Sequence, residues 1–193
     1  MTSEDRLSGA ALASLQGGDR ATIEEVLVRL HPHVRLWVVR YVGPTDRAND
    51  VVQEALIELT TALPKFRGDA TITTFARRVT LRTASRYLRK HRDATRSIDP
   101  ATIEVVDFRD PESQANAREQ LAHLYECLAT LAPKRRSAFM LCAVEGLTPS
   151  DAARIEGTTS LAMRSRLSRA RADLTRILHP AHSLVIDGRL ELE

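Results

Sequence analysis

The stretch Glu145-Gly-Leu-Thr-Pro-Ser-Asp-Ala-Ala-Arg-Ile-Glu-Gly-Thr-Thr-Ser160, followed by Arg164-Ser-Arg-Leu-Ser-Arg-Ala-Arg171, leaves the chain little choice of local fold. Thr148 is placed to cap a helix, Pro149 suits its first position, and Asp151 stands three residues after the cap. Gly157 supplies the left-handed residue that ends such a helix. Ser160 can cap a second helix, in which Met163, Leu167, Ala170, Leu174 and Leu178 recur along one face. Arg164 and Arg171 border that apolar stripe on one side, Arg166 and Arg169 on the other. One face packed on its own domain and arginines on the rest is the layout of a helix-turn-helix offered to a phosphate-lined groove. An amphipathic helix hairpin with a solvated basic face shares this local pattern, so the remainder of the chain must decide.

The 193 residues allow one domain or two small ones. Aromatic residues make up only 4%, so the expected cores are built from Leu, Val and Ala, as in helical bundles. No apolar run approaches the length of a membrane span, and the start Met-Thr-Ser-Glu-Asp is not a basic-then-apolar leader. A cytoplasmic protein without membrane insertion is expected. Cys127 and Cys142 lie in apolar helical patterns with no CxxC spacing and read as small buried hydrophobes. The net charge of +3 is unevenly spread. Lys65 to Asp93 carries nine basic residues (65, 67, 77, 78, 82, 86, 89, 90 and 92) against Asp69 and Asp93. Asp99 to Glu119 carries six acids (99, 104, 107, 110, 112 and 119) against Arg109 and Arg118. Two basic segments parted by an acidic one suggest two DNA-facing modules on a tether that does not itself track phosphates.

Nearly everything else reads as helix. Ile23, Val26, Leu27 and Leu30 form one apolar stripe, and Val34, Trp37, Val38 and Tyr41 another, with Pro32 predicted to break or kink the chain between them. Gly43-Pro44 is a turn, and Val51, Val52, Ala55, Leu56, Leu59 and Leu63 define the next helix, punctuated by Pro64 and Gly68. A fourth helix is predicted from about Ile72 to Lys90. Residues 93–113, with Pro100 and Pro111, lack periodicity and read as a flexible acidic linker. Leu121, Leu124, Leu128 and Leu131 start a second bundle, Pro133 opens its next helix, and the helix-turn-helix completes it. Residues 180–193 form a tail whose only strand signal is a weak alternation from Ser183.

On the fourth helix, at about 100° per residue, Arg78, Arg82, Arg86 and Arg89 share a stripe with Phe75 at its margin, while Ala76, Val79, Thr83 and Tyr87 point toward the core. No acid lies between Thr71 and Arg92 to relieve the stripe from within the helix. The expectation is that a polyanion lies against it. Phe75 either stacks on an unpaired base, as in single-strand binding, or closes the hydrophobic core.

In this order and spacing the pieces resemble the extracytoplasmic-function (ECF, group 4) sigma factors of the sigma-70 family, over roughly residues 10 to 178. Asp50-Val-Val-Gln-Glu-Ala-Leu56 is similar to that family's segment for docking on the coiled coil of the RNA polymerase β′ clamp. Leu63-Pro-Lys-Phe-Arg-Gly68 resembles its loop for capturing a base of the −10 element. Pro133-Lys-Arg-Arg-Ser-Ala-Phe139, Glu145-Gly-Leu-Thr148 and Arg164 to Arg171 resemble its −35 motif. The resemblance implies an all-α protein with a σ2-like domain (1–92), the linker (93–113), a σ4-like domain (114–179) ending in the helix-turn-helix, and the tail. It implies core-polymerase contacts at Asp50, Val51, Gln53, Glu54 and Leu56. Contacts to −10 DNA would come from Phe66, Arg67, Gly68, Asp69, Phe75, Arg78, Arg82, Arg86 and Arg89. Contacts to −35 DNA would come from Ser160, Ala162, Met163, Arg164, Ser165, Arg166, Arg169 and Arg171, with Met163 also a core candidate. The chain departs from the family at Phe75, where Trp is usual, and near Arg82 and Arg86, where Asn and Asp are usual. The partners implied are bacterial core RNA polymerase and promoter DNA, and the family commonly pairs with a membrane-anchored anti-sigma factor.

The competing reading is a stand-alone helix-turn-helix regulator. It would need a dimer seam to read a two-fold operator, and no sustained heptad is present. An enzyme is not expected: His, Asp and Glu are scattered without a pocket-like motif, and no phosphate-binding Gly loop or metal-ligand spacing occurs. His31 and His33, or His179 and His182, are pairs without further ligands and read as surface residues, so no metal or cofactor is expected.

Overall fold

The computed structural model describes residues 7–45, 47–90 and 111–178. Residues 91–110, which hold most of the linker expected at 93–113, and residues 179–193, with His179, His182 and the expected tail, lie outside the described residues. The chain divides into two compact units, Met1–Ala94 and Thr95–Glu193. Both are helical, with no strand among the described residues.

In the first unit, α1 (Gly9–Gln16) precedes α2 (Arg20–Val42), α3 (Ala48–Ala62), a 3-10 turn (Leu63–Lys65) and α4 (Ile72–Lys90). Helices α2, α3 and α4 pack on one another in all three pairings. Their shared core contains Leu30, Val34, Val38, Tyr41, Val51, Ala55, Leu59, Ile72, Ala76, Leu81 and Ala84. The Asp19 side chain caps α2 by accepting from the Thr22 amide at 2.9 Å and from its hydroxyl at 2.6 Å. These bonds hold its carboxyl below the usual carboxylate range.

Helix α2 runs unbroken through Pro32, so the chain break that was one of the two outcomes expected there does not occur. A proline cannot donate to the carbonyl four residues back, here that of Val28. Val28 is 69% exposed, so this turn faces solvent, where water can satisfy the freed carbonyl. The N-terminal helix α1 carries no strong stripe in sequence and was not anticipated. It buries Leu15 and packs against the 3-10 turn.

In the second unit, α5 (Pro111–Thr130) is followed by α6 (Pro133–Phe139), which passes into a π-helical turn (Met140–Val144), then α7 (Pro149–Glu156) and α8 (Ser160–Leu178). Helix α5 begins at Pro111, three residues inside the stretch read as linker. Proline is well suited to a first helical turn. Helix α8 is the hub of this unit and touches α5, α6 and α7. It inserts Met163, Ala170 and Leu174 into a core shared with Leu128, Ala138, Met140, Leu141 and Ala152. Polar links add direction to this packing. The Ser137 hydroxyl of α6 donates to Glu156 Oε1 of α7 at 2.7 Å, and Arg135 of α6 pairs with Asp173 of α8.

Candidate nucleic-acid interface

The turn between α7 and α8 is built as its sequence dictates. Thr148 sits in extended conformation and accepts from the Asp151 amide at 3.1 Å, while its hydroxyl donates to Asp151 Oδ2 at 2.7 Å. Gly157 adopts φ 61 and ψ 44, the left-handed conformation that glycine takes without strain, and its N–H bonds back to Ala153 O. The cap of α8 is Thr159, whose hydroxyl accepts from the Ala162 amide at 3.2 Å. This corrects the assignment to Ser160 by one residue, because both positions offer a hydroxyl and only the backbone path decides between them.

On α8, Arg164, Ser165, Arg169 and Arg171 are exposed, and Ser160, Ala162 and Arg166 are half-buried. Met163 is fully buried, which removes it from the residues able to touch a base. Its place in the core stripe overrides its place near the helix N-terminus. Leu161, which sequence reasoning passed over, is 72% exposed. Its signal was its spacing: it falls off the core stripe that starts at Met163.

In the first unit the fourth-helix stripe is only partly as expected. Arg78 and Arg82 are exposed and form no ion pair among the described residues. Arg86 is different. Its Nη2 donates to Glu54 Oε1 at 3.0 Å and to Glu58 Oε1 at 2.8 Å, both on α3. Those bonds, with Glu58 the larger cause, raise its guanidinium pKa above the ordinary value. The stripe therefore has acidic partners, supplied across the helix interface rather than within α4, and the expectation of an unrelieved stripe is corrected there. Arg89 Nη1 donates to Ser85 Oγ at 3.0 Å.

The loop before α4 is braced from below. Phe66 is 2% exposed and its ring lies 5.1 Å from that of Phe75, tilted by 52°. This corrects the placement of the Phe66 ring around a base: its ring belongs to the core, and Phe75, half-buried, covers it. Gln16 Nε2 of α1 donates to Phe66 O at 2.9 Å. Gly68 has φ +77, and a Cβ there would approach Leu12 Cδ2 to 2.9 Å. Arg67, Gly68 and Asp69 remain exposed on the rim.

On α3, Asp50 and Gln53 are exposed and Glu54 and Leu56 are half-buried. Val51 is fully buried, so its inclusion in a contact surface is corrected: the helix turns it inward. Ile57, not singled out in the sequence, is 68% exposed one turn beyond Gln53 and Glu54.

Each of the two units thus presents exposed arginines, and the second does so from a helix-turn-helix. The Sigma-70 region 2 model matches residues 27–94 and the Sigma-70, region 4 model residues 121–174. RNA polymerase sigma factor NccH of Alcaligenes xylosoxydans xylosoxydans is 30% identical over 159 residues, covering 79% of this chain and 84% of that protein. The chain belongs to the sigma-70 family. Within it, the ECF RNA polymerase sigma-E factor of Escherichia coli is 29% identical over 187 residues, covering 92% of this chain and 97% of that protein. The sigma factor RpoE of Bartonella quintana, solved in complex with the anti-sigma factor NepR, has a similar fold: TM-score 0.56 and 22% identity, covering 82% of this chain and 98% of that one. The chain is thus a promoter-recognition sigma subunit of RNA polymerase of the ECF group. The stand-alone regulator accounts for only the second unit and leaves the region 2 match unexplained.

Cys127 is buried and Cys142 half-buried. Burial pushes both thiols up, Glu126 adding to the effect at Cys127 and Arg171 opposing it at Cys142. His33 stacks on Trp37 with ring centroids 5.8 Å apart. Among the described residues no cluster of three or more His, Cys, Asp or Glu could hold a metal ion, and no helix is long and apolar enough to cross a membrane.

Proposed function

We propose that this sigma factor works through three surfaces. The outer side of α3, with Asp50, Gln53, Glu54, Leu56 and the exposed Ile57, docks on the β′ clamp coiled coil of core RNA polymerase. An apolar side chain among acidic and amide neighbours gives a site that buries hydrophobic area and still fixes register through polar contacts. The exposed Arg78 and Arg82 of α4 hold phosphates of the −10 region, with Arg89 beside them, while the rim Arg67, Gly68 and Asp69 surrounds one extruded base. Arginine suits the phosphate role because it stays charged and spreads several donors over phosphate oxygens. Helix α8 enters the −35 major groove, with Ser160, Arg164 and Ser165 at base edges and Arg166, Arg169 and Arg171 at the backbone. Residues near a recognition helix N-terminus reach bases, and later ones track phosphates. The subunit performs no chemistry of its own and acts where core polymerase is, in the cytoplasm.

The observation that carries this reading is the exposed arginine face on each of two units in a chain matched by both sigma regions. An anti-sigma partner fits the same reading, since the Bartonella relative was solved bound to one. The test is to mix full-length protein with core polymerase and footprint the complex on promoter fragments. Protection at both −10 and −35, absent for core alone and abolished at −35 by Arg164→Ala with Arg169→Ala, is expected. Protection by the isolated protein, equal with and without core, would overturn the docking surface.

A further inference from the structure

Leu161 stands out on α8 because the helix has no structural use for it. Met163, Ala170 and Leu174 already supply the buried stripe, and Leu161 precedes Met163 by two residues, which places it on the opposite side of the helix. There it is 72% exposed. Its neighbours one turn on are Arg164 and Ser165, both exposed, so an apolar side chain is set among polar ones on the outer face. An isolated exposed leucine is ordinary on a protein surface. This one occupies the second position of the helix assigned above to the major groove.

A leucine has no hydrogen-bonding group and can read only an apolar feature. In the major groove the thymine 5-methyl is the apolar feature that a base edge presents. We infer that Leu161 is a specificity-determining residue that packs on a thymine methyl in the −35 element, beside the base contacted by Arg164. Three residues of helix advance about 4.5 Å, near the roughly 3.4 Å between stacked bases, so the thymine lies within about one step of the base read by Arg164. This inference rests on the −35 role of α8 given above.

The experiment uses holoenzyme assembled from the full chain and core RNA polymerase. A promoter library randomised at −35 is selected first, and each thymine of the selected element, on either strand, is then replaced by deoxyuridine, which removes only the methyl. One such replacement should weaken wild-type binding about fourfold, the worth of one buried methyl-sized group. The same replacement should have no effect on Leu161→Ala or Leu161→Gln holoenzyme, and both variants should assemble with core normally. The inference is overturned if every uracil is tolerated, if the uracil penalty persists in both variants, or if the variants lose core assembly instead of DNA affinity. Should the selection yield no −35 preference at all, the major-groove reading fails as well. A strong preference that Arg164→Ala relaxes, without any methyl dependence, fails the Leu161 inference alone.

Discussion

Replacing Arg86 with alanine separates a brace from a phosphate contact. The side chain donates to Glu54 and Glu58 at 3.0 and 2.8 Å, and all three groups are 44–46% exposed. At that exposure solvent screening limits each pair to about 0.2–1 kcal/mol. Removing the cation also leaves Glu54 and Glu58 as an i,i+4 like-charge pair, worth a few tenths of a kcal/mol against α3. The expected loss is about 1–2 kcal/mol, which in a domain of this size lowers Tm by roughly 4–8 °C per kcal/mol. Trp37, the chain's single tryptophan, is buried in the first unit and stacked on His33, so its fluorescence follows this unfolding. A double-mutant cycle with Glu58→Ala should return a coupling of about 0.2–1 kcal/mol. The raised guanidinium contributes fully below its ordinary pKa and is lost only as pH rises through the still higher folded value. Near neutral pH the arginine does not titrate, so the loss in the alanine variant is the same across that range. Promoter binding supplies the contrast: Arg82→Ala should lower the salt slope by about 0.7–0.9, the signature of one phosphate contact. Arg86→Ala should leave that slope unchanged. If Arg86→Ala instead lowers the slope as Arg82→Ala does, without coupling to Glu58, the brace is wrong and Arg86 belongs to the DNA.

Met163→Ala should cost about 2–5 kcal/mol of second-unit stability by opening a core cavity, and selected −35 sequences should not change; an altered consensus in a stably folded variant would return Met163 to the groove. Gln16→Ala and Gly68→Ala should both impair promoter opening with core assembly intact, because each disturbs the seat of the loop on α1, and permanganate footprints of the −10 strand report it; normal opening by both variants would show that the loop needs no brace. Asp50→Arg and Ile57→Asp should each reduce co-purification with core polymerase while leaving Tm within about 0.5 kcal/mol equivalent of wild type, as exposed substitutions do. Undiminished co-purification would move the docking surface off α3.

Local chemistry was the legible part of this chain. The cap at Thr148, Pro149 at the first helical position and left-handed Gly157 are each decided within a few residues, and all three stand as their types demand. The span of α4 follows from an apolar period bounded by the loop that holds Gly68 and by a basic end. Interactions across helices were not legible. The Arg86 pairs join residues 32 and 28 apart in sequence, and no periodicity within α4 records them. Helix α1 hid because its stripe is little more than Leu12 and Leu15 among alanines, and its value lies in what it touches: Phe66 O and Gly68. Val51, Phe66 and Met163 share a third difficulty. Each adjoins an exposed member of its motif, Asp50, Arg67 and Arg164 respectively, and a helix or tight loop turns some of its residues inward.

On the reading proposed above, one chain confers promoter choice on core polymerase through both of its units. The most direct measurement is multi-round transcription from a genomic fragment library with core polymerase, with and without this protein, followed by sequencing of transcript starts. The expected starts depend on the protein, share two sequence blocks upstream at −10 and −35, and vanish when α4 carries Arg78→Ala with Arg82→Ala. Starts that are unchanged by the protein, or a single two-fold symmetric site bound without polymerase, would contradict it.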